Sequence, residues 1–228
     1  RVESENKLRR FVADASHELR TPLTAIRGFA ELHRQGAVVG EDKTKELITR
    51  IEKESIRMSS LVEDLLLLAR LDQARELTAD PVDLNTLITE VVASARAAGP
   101  DHPIEVKLGE SEIFVLGDSL RIHQVIANLL ANARTHTPIG TKIVITAEQG
   151  INETTVSVSD NGPGLSQADQ EKIFERFYRV DKSRAKMSGG SGLGLSIVKH
   201  IVKAHGSQIT VISKVDKGTS FSFKLEKA

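Results

Sequence analysis

Cysteine is absent from the chain. That excludes disulfides and thiolate metal sites, and a reducing compartment fits. Net charge is absent too: Lys plus Arg and Asp plus Glu number 31 each. Broad electrostatic binding to nucleic acid is therefore disfavoured, although a local basic patch is not. No apolar run is long enough to span a bilayer, no signal peptide is visible, and repeats and low-complexity tracts are missing. The chain opens on RVESENKLRRF, already helix-like, so it is expected to be a piece of something longer. What is present, 39% hydrophobic and 27% charged residues over 228 positions, suits a soluble globular chain of one large domain or two modest ones.

The first 72 residues carry a helical period. Leu8, Val12, Ala15, Leu19, Pro22, Ile26 and Phe29 are spaced 4, 3, 4, 3, 4, 3. After a turn near GAVVGED (36–42), Ile48, Ile51, Ser55, Met58, Val62, Leu65 and Ala69 repeat the spacing as 3, 4, 3, 4, 3, 4. These are heptad stripes on two long helices joined by a short connection, hence an antiparallel hairpin. Leu61, Leu66, Leu68 and Leu71 widen the second stripe beyond what two helices cover. A homodimer that pairs two hairpins into a four-helix bundle would cover it.

Residues 73–81 (QARELTADP) read as a linker, and from residue 82 the pattern changes. Helical segments at about 84–98, 119–135 and 193–205 alternate with strand-like runs at 104–108, 113–116, 142–148, 154–160, 208–213 and 220–225. Residues 82–228 are thus expected to form an α+β layer, a mixed sheet with helices over one face. The stretch 161–192 is glycine-rich with little regular pattern, and a loop that long in a compact domain is usually functional.

Three constellations carry chemistry. In Asp160-Asn161-Gly162-Pro163-Gly164, an Asp at a strand end can accept from an exocyclic amine, and the glycines let backbone approach a flat ligand. An ordinary turn has the same composition. Gly189-Gly190-Ser191-Gly192-Leu193-Gly194-Leu195 leads a glycine-rich loop into a helix N-terminus, an anion site by its free N–H groups and dipole, or else a flexible linker. It fits neither the phosphate-loop pattern ending in Lys-Ser/Thr nor the strand-led dinucleotide fingerprint. On a helical run, Asn128 and Asn132 share one face; they are surface amides or ligands for Mg²⁺ and phosphate. Phe174 to Arg179 (FERFYR) adds aromatics near the loop.

In DASHELRTPLT (14–24), His17 lies two residues after Ala15 and two before Leu19. At about 100° per residue it points away from the core line, with Thr21 on the same face and Glu18 beside it. Taken alone this is a surface histidine. Pro22 removes the helical bond to the Glu18 carbonyl, at roughly 3 kcal/mol, and so marks a point where the helix can bend.

Together and in this order, NLLANA (128–133), DNGPG (160–164), FERFYR (174–179), GGSGLGL (189–195) and GTSF (218–221) resemble the nucleotide boxes of the histidine-kinase ATP-binding domain, a relative of the gyrase-type ATPases. SHELRTPL resembles the phosphoacceptor box of the HisKA-type dimerization domain. The resemblance covers nearly the whole chain and implies two-component signalling. ATP would phosphorylate His17, and the phosphoryl group would pass to an aspartate of a response-regulator receiver domain. It implies that Asn128 holds Mg²⁺, that Asn132 contacts phosphate and that Asp160 takes the adenine amine. Gly162, Gly164, Leu193 and Thr219 would belong to the ATP-binding boxes. Segment 161–191 would be a lid, with Gly190, Gly192 and Gly194 closing over the phosphates. Family members carry Lys or Arg three residues after the second Asn; this chain has Thr135 there, and Arg134 is expected to supply the contact. Glu18 would orient the ring of His17, and Thr21 would position water for dephosphorylating the regulator. A change from the usual His-Gly-Gly to His205-Gly206-Ser207 is expected to be structural only, because the first Gly caps the helix. The resemblance also implies a cytoplasmic portion of a membrane sensor, touching the membrane only through segments absent from this chain.

Overall fold

A computed structural model of the chain describes residues 2–71, 79–109, 111–180 and 191–228, the side chains of 2–10 excepted. The chain divides into two compact units, Arg1–Leu67 and Leu68–Ala228. Among the described residues, no helix is long and apolar enough to cross a membrane.

Two helices, α1 (Val2–Arg34) and α2 (Glu41–Leu71), account for the first unit. The turn between them is set by α1's end. Gly36 adopts φ 72°, its N–H bonds the His33 carbonyl, and the Ala37 N–H bonds the Leu32 carbonyl. This paired closure needs a left-handed residue, which glycine supplies without strain. His33 and Arg34 in the last turn of α1, and Glu41 and Asp42 in the first turn of α2, complement the helix dipoles. The Arg50 guanidinium lies 6.0 Å from the Phe29 ring centre and ties the two helices together. Pro22, Leu47 and Leu61 are buried, whereas Val12, Leu23, Ile48, Ile56, Val62 and Leu66 stay exposed. A single hairpin therefore leaves much of its apolar surface uncovered.

Pro22 does not interrupt α1, which runs through it. Hydroxyls back-bond around the missing N–H. Ser16 donates to the Val12 carbonyl at 2.8 Å, Thr21 to that of His17 at 3.2 Å, and Thr24 to that of Arg20 at 2.8 Å. Such bonds compete with the helix ladder and favour bending.

The second unit contains β1 (Asp80–Asp83), α3 (Leu84–Ala98), β2 (Ile104–Leu108), β3 (Phe114–Gly117), α4 (Ser119–His136), β4 (Ile143–Gln149) and β5 (Glu153–Asp160). A short α5 (Gln167–Lys172) follows, then α6 (Gly194–Ala204), β6 (Thr210–Lys214) and β7 (Gly218–Glu226). A five-stranded sheet has the order β2-β4-β5-β7-β6; β2 runs parallel to β4 and the other neighbours are antiparallel. The expected mixed sheet is thus present. Alternation decides its faces. Ile143, Ile145, Val156, Val158, Phe221 and Phe223 are buried, and α3, α4 and α6 supply Ile88, Ile126, Leu129, Ile197 and Ile201 to the same core. Each such side chain contributes roughly 1.5–3 kcal/mol on burial. Several alternate positions on β5 and β7 are hydroxylic, as in Ser159, which donates to Ser220 at 2.8 Å.

Two differences from the sequence reading concern short elements. Asp80 and Pro81, the end of the expected linker, belong to β1 and pair with Gly117 and Leu116 of β3. A proline is tolerated there because the strand is one edge of a two-stranded pair. Within the stretch read as irregular, Ser166 caps α5 by accepting the Asp169 N–H. Neither DPVD nor QADQEK carries a repeated apolar pattern. Residues 73–78 of the linker reading lie outside the described residues.

Candidate nucleotide site and phosphoacceptor

His17 lies exposed on α1, as the register requires. Thr21, one turn on and also exposed, donates its hydroxyl to the His17 carbonyl. Glu18 is half-buried beside them. The three residues therefore share one helix surface.

In the second unit, α4 is launched by Asp118, whose carboxylate accepts the Arg121 N–H at 3.1 Å. Its buried stripe, Ile122, Val125, Ile126, Leu129, Leu130 and Ala133, turns Asn128 and Asn132 to a half-buried edge. The Asn128 amide nitrogen donates to the Gly194 carbonyl at 3.4 Å, at the start of α6. This leaves the amide oxygen turned to no hydrogen-bond donor among the described residues, a hard oxygen of the kind Mg²⁺ prefers. Gly194 brings its backbone to α4 closely enough that a Cβ would stand 3.9 Å from the Asn128 amide carbon.

Opposite, β5 ends at Asp160. Its carboxylate accepts backbone N–H bonds from Gly162 at 2.8 Å and from Thr219, its partner across β7. Burial nevertheless pushes the carboxyl above its ordinary pKa, outweighing those two bonds. Gly162 is required by closeness: a Cβ would stand 2.6 Å from the Thr137 methyl, at the end of α4. The turn is anchored by Asn161, whose side chain accepts the Lys142 N–H at 2.8 Å.

The glycine loop meets the aromatic segment. Phe177 donates its N–H to the Gly192 carbonyl at 2.9 Å with φ at 62°, a strained value for a bulky residue. Gly192 adopts φ 71°, and a Cβ there would stand 3.3 Å from Arg179 Nε. Desolvation, and then the charge of Arg179, hold the His136 imidazole below its ordinary pKa, so this cation also acts at the end of α4. Gly190 lies outside the described residues.

Several expected site residues have packing partners of their own in the structure. Arg134 is not on the amide face. It lies two residues past Asn132, roughly opposite it on the helix. Its guanidinium packs on Gly99 at the end of α3, so closely that a Cβ on Gly99 would meet Arg134 Nε at 2.6 Å. The Leu193 side chain is fully buried, and its N–H donates to the Ser191 hydroxyl at 3.2 Å. Gly164, at φ 69°, gives room to the Lys214 backbone. The Thr219 hydroxyl is buried against that of Ser213 at 2.9 Å, so the residue acts on Asp160 through its backbone. Arg179 and Thr137 are the residues that sequence reasoning missed. Arg179 stood within the quoted FERFYR, but no period assigned it a direction.

Residues 117–228 match the family described as "Histidine kinase-, DNA gyrase B-, and HSP90-like ATPase", and residues 7–74 match "His Kinase A (phospho-acceptor) domain". The protein described as "Probable sensor histidine kinase TcrY" of Mycobacterium tuberculosis is 48% identical over 215 residues, 93% of this chain and 45% of TcrY. The catalytic domain of histidine kinase ThkA aligns with TM-score 0.58 and 31% identity, covering 65% of this chain and 95% of that one. ThkA in complex with the response regulator protein TrrA aligns with TM-score 0.79 and 28% identity, covering 99% of this chain and 64% of that one. A strand-end carboxylate, an amide-bearing helix and a glycine loop on a mixed sheet thus define an ATP-binding sandwich of the kinase, gyrase and HSP90 kind, here preceded by a phosphoacceptor hairpin. The chain belongs to the sensor histidine kinases. It spans about half the length of the relatives it matches.

Proposed function

We propose that this chain transfers the terminal phosphoryl group of ATP to His17 and hands it on to a response-regulator aspartate. The observation that carries the reading is the exposed His17-Glu18-Thr21 surface on one unit, with the Asn128, Asp160 and Gly192–Gly194 constellation on the other. Adenine would donate its amine to Asp160. The Asn132 amide and the N-terminal end of α6 would meet the phosphates. The free amide oxygen of Asn128 fits a magnesium ion. When bound, that ion offsets phosphate charge. Among the described residues no cluster of three His, Asp or Glu could hold an ion, so Asn128 would share it with nucleotide oxygens and water.

The reaction forms an N–P bond at the imidazole and breaks the P–O bond to ADP, which leaves with the electron pair. Glu18 orients the ring through its other N–H and stabilises the positive charge that develops. Thr21 positions water for hydrolysis of the phosphorylated regulator, the reverse task of the same face. This reading assigns the phosphoacceptor and dimer functions to residues 1–72 and ATP binding to 82–228, with β1 moving the start of the second part to Asp80. The uncovered apolar surface of the hairpin supports a homodimer that forms a four-helix bundle. The alignment with ThkA bound to TrrA supports a receiver-domain partner. Kinship with sensor kinases supports a cytoplasmic station beneath a membrane sensor.

Incubation with γ-labelled ATP tests this. Acid-labile, base-stable label on the chain, absent from His17→Ala, is expected. Phosphate release without labelled protein would make the chain an ATPase, and nucleotide binding with neither would make it a scaffold.

A further inference from the structure

His200 lies on α6, two turns from the glycine loop and outside the constellation described above. Its Nδ1 stands 2.7 Å from the Ser196 carbonyl and its Nε2 stands 3.3 Å from Arg176 Nη2. A carbonyl can only accept and a guanidinium can only donate. The partners therefore assign the ring as the Nδ1–H tautomer, with Nε2 as the acceptor for Arg176. One imidazole thus joins α6 to the aromatic segment.

Arg176 precedes Phe177, whose N–H holds the Gly192 carbonyl at 2.9 Å while its backbone stays at φ 62°. A left-handed aromatic persists only where its surroundings hold it. Arg176 is fastened on one side of it. On the other, Arg179 lies against Gly192. The loop's far end is fastened as well, because the Ser196 hydroxyl donates to the Leu193 carbonyl at 2.8 Å and Asn128 donates to that of Gly194. We propose that His200 is a positioning residue for phosphoryl transfer. By holding Arg176 it keeps Phe177 strained onto Gly192 and keeps Arg179 beside Gly192, near the N-terminal end of α6 that the ATP reading gives to the phosphates.

The inference rests on the ATP reading above and adds a specific consequence. Asp160, at the end of β5, would hold the adenine end, so loosening Arg176 leaves that end untouched. The loss falls on the terminal phosphate, which ATP has and ADP lacks.

Calorimetric titration of the full chain with ADP and with a non-hydrolysable ATP analogue tests it. Asn at position 200 retains a donor near Nδ1 but no acceptor that reaches Arg176, whereas Gln places its oxygen near Nε2. His200→Asn is expected to weaken analogue binding roughly tenfold while ADP binding changes less than about twofold, the scale of one hydrogen bond to a charged group. His200→Gln is expected to restore the analogue. Arg176→Lys, which keeps the charge without the fork, is expected to repeat the Asn phenotype and decides the matter if His200→Asn melts early. Equal losses for both nucleotides, or no loss in either Asn or Lys variant, overturn the positioning role. Failure of the unmodified chain to bind either nucleotide would instead remove the ATP reading itself.

Discussion

The Asp160 carboxylate accepts the Gly162 N–H at 2.8 Å and yet is held above its ordinary pKa, because burial outweighs the bond. A carboxyl so raised binds its proton more readily folded than unfolded. It therefore lowers stability as pH climbs from the unfolded value, 3.8, through the folded one, and the penalty is absent at lower pH. Asp160→Asn is expected to be more stable than the parent in urea at pH 7, with the difference vanishing below about pH 4. The same substitution is expected to weaken ATP binding at least about tenfold, since the charged acceptor for the amine is lost. A variant that is stabilised and still binds ATP normally would remove Asp160 from the adenine site.

Gly218 adopts φ 92°, and a Cβ there would run into the Asp160 carbonyl. Gly218→Ala combines left-handed strain with backbone overlap, and denaturant unfolding is expected to show a loss of at least about 2 kcal/mol. Gly140→Ala is the control: φ is 85°, but nothing lies within 4 Å, so only the strain, about 1–2 kcal/mol, applies.

The His205 ring receives the Asp118 N–H on Nε2 at 3.1 Å and meets the Ile201 carbonyl through Nδ1 at 2.8 Å. This pins the end of α6 to the cap of α4. His205→Leu leaves the Asp118 N–H unpaired and is expected to cost about 1–3 kcal/mol in urea unfolding. His205→Gln, which can still accept, is expected to recover part of that.

Pro22 removes a bond to the Glu18 carbonyl although α1 continues through it. Pro22→Ala restores that bond, for a gain of up to about 3 kcal/mol, less the packing of the buried ring. Thermal melting is expected to rise. The kinase-to-phosphatase ratio is expected to shift, because a stiffer helix resists bending at His17. An unchanged ratio would sink the hinge.

Thr21→Ala removes only an exposed hydroxyl that back-bonds the His17 carbonyl at 3.2 Å. Autophosphorylation is expected within about twofold of the parent, and dephosphorylation of the regulator is expected to fall at least about tenfold. Both are read by label on the chain and on the receiver domain.

Much of this was legible in the residues. Long periods survive single-chain reading, so α1, α2, α4 and the alternating strands β4, β5 and β7 fall close to their expected spans. The helix end at His205-Gly206-Ser207 was readable too: Gly206 takes φ 72°, its N–H bonds the Lys203 carbonyl, and the Ser207 N–H bonds that of Val202. Two short elements without a repeated apolar pattern, β1 and α5, were not readable. Strand β1 exists because β3 offers it a partner, and α5 because Ser166 caps it.

The sequence by itself determined the period of each element, the outward face of His17 and the shared face of Asn128 and Asn132, since these follow from local geometry at fixed residue spacing. Only the tertiary structure decided which neighbours those faces meet. Arg134 and Thr135 are adjacent in the chain, but α3 lies beside Arg134, and packing on Gly99 turns it from the amides. Arg179 and Gly192 are separated in the chain, and the strained Phe177, whose N–H bonds the Gly192 carbonyl, brings them together. Spacing sets direction along one element; contact depends on the elements packed against it.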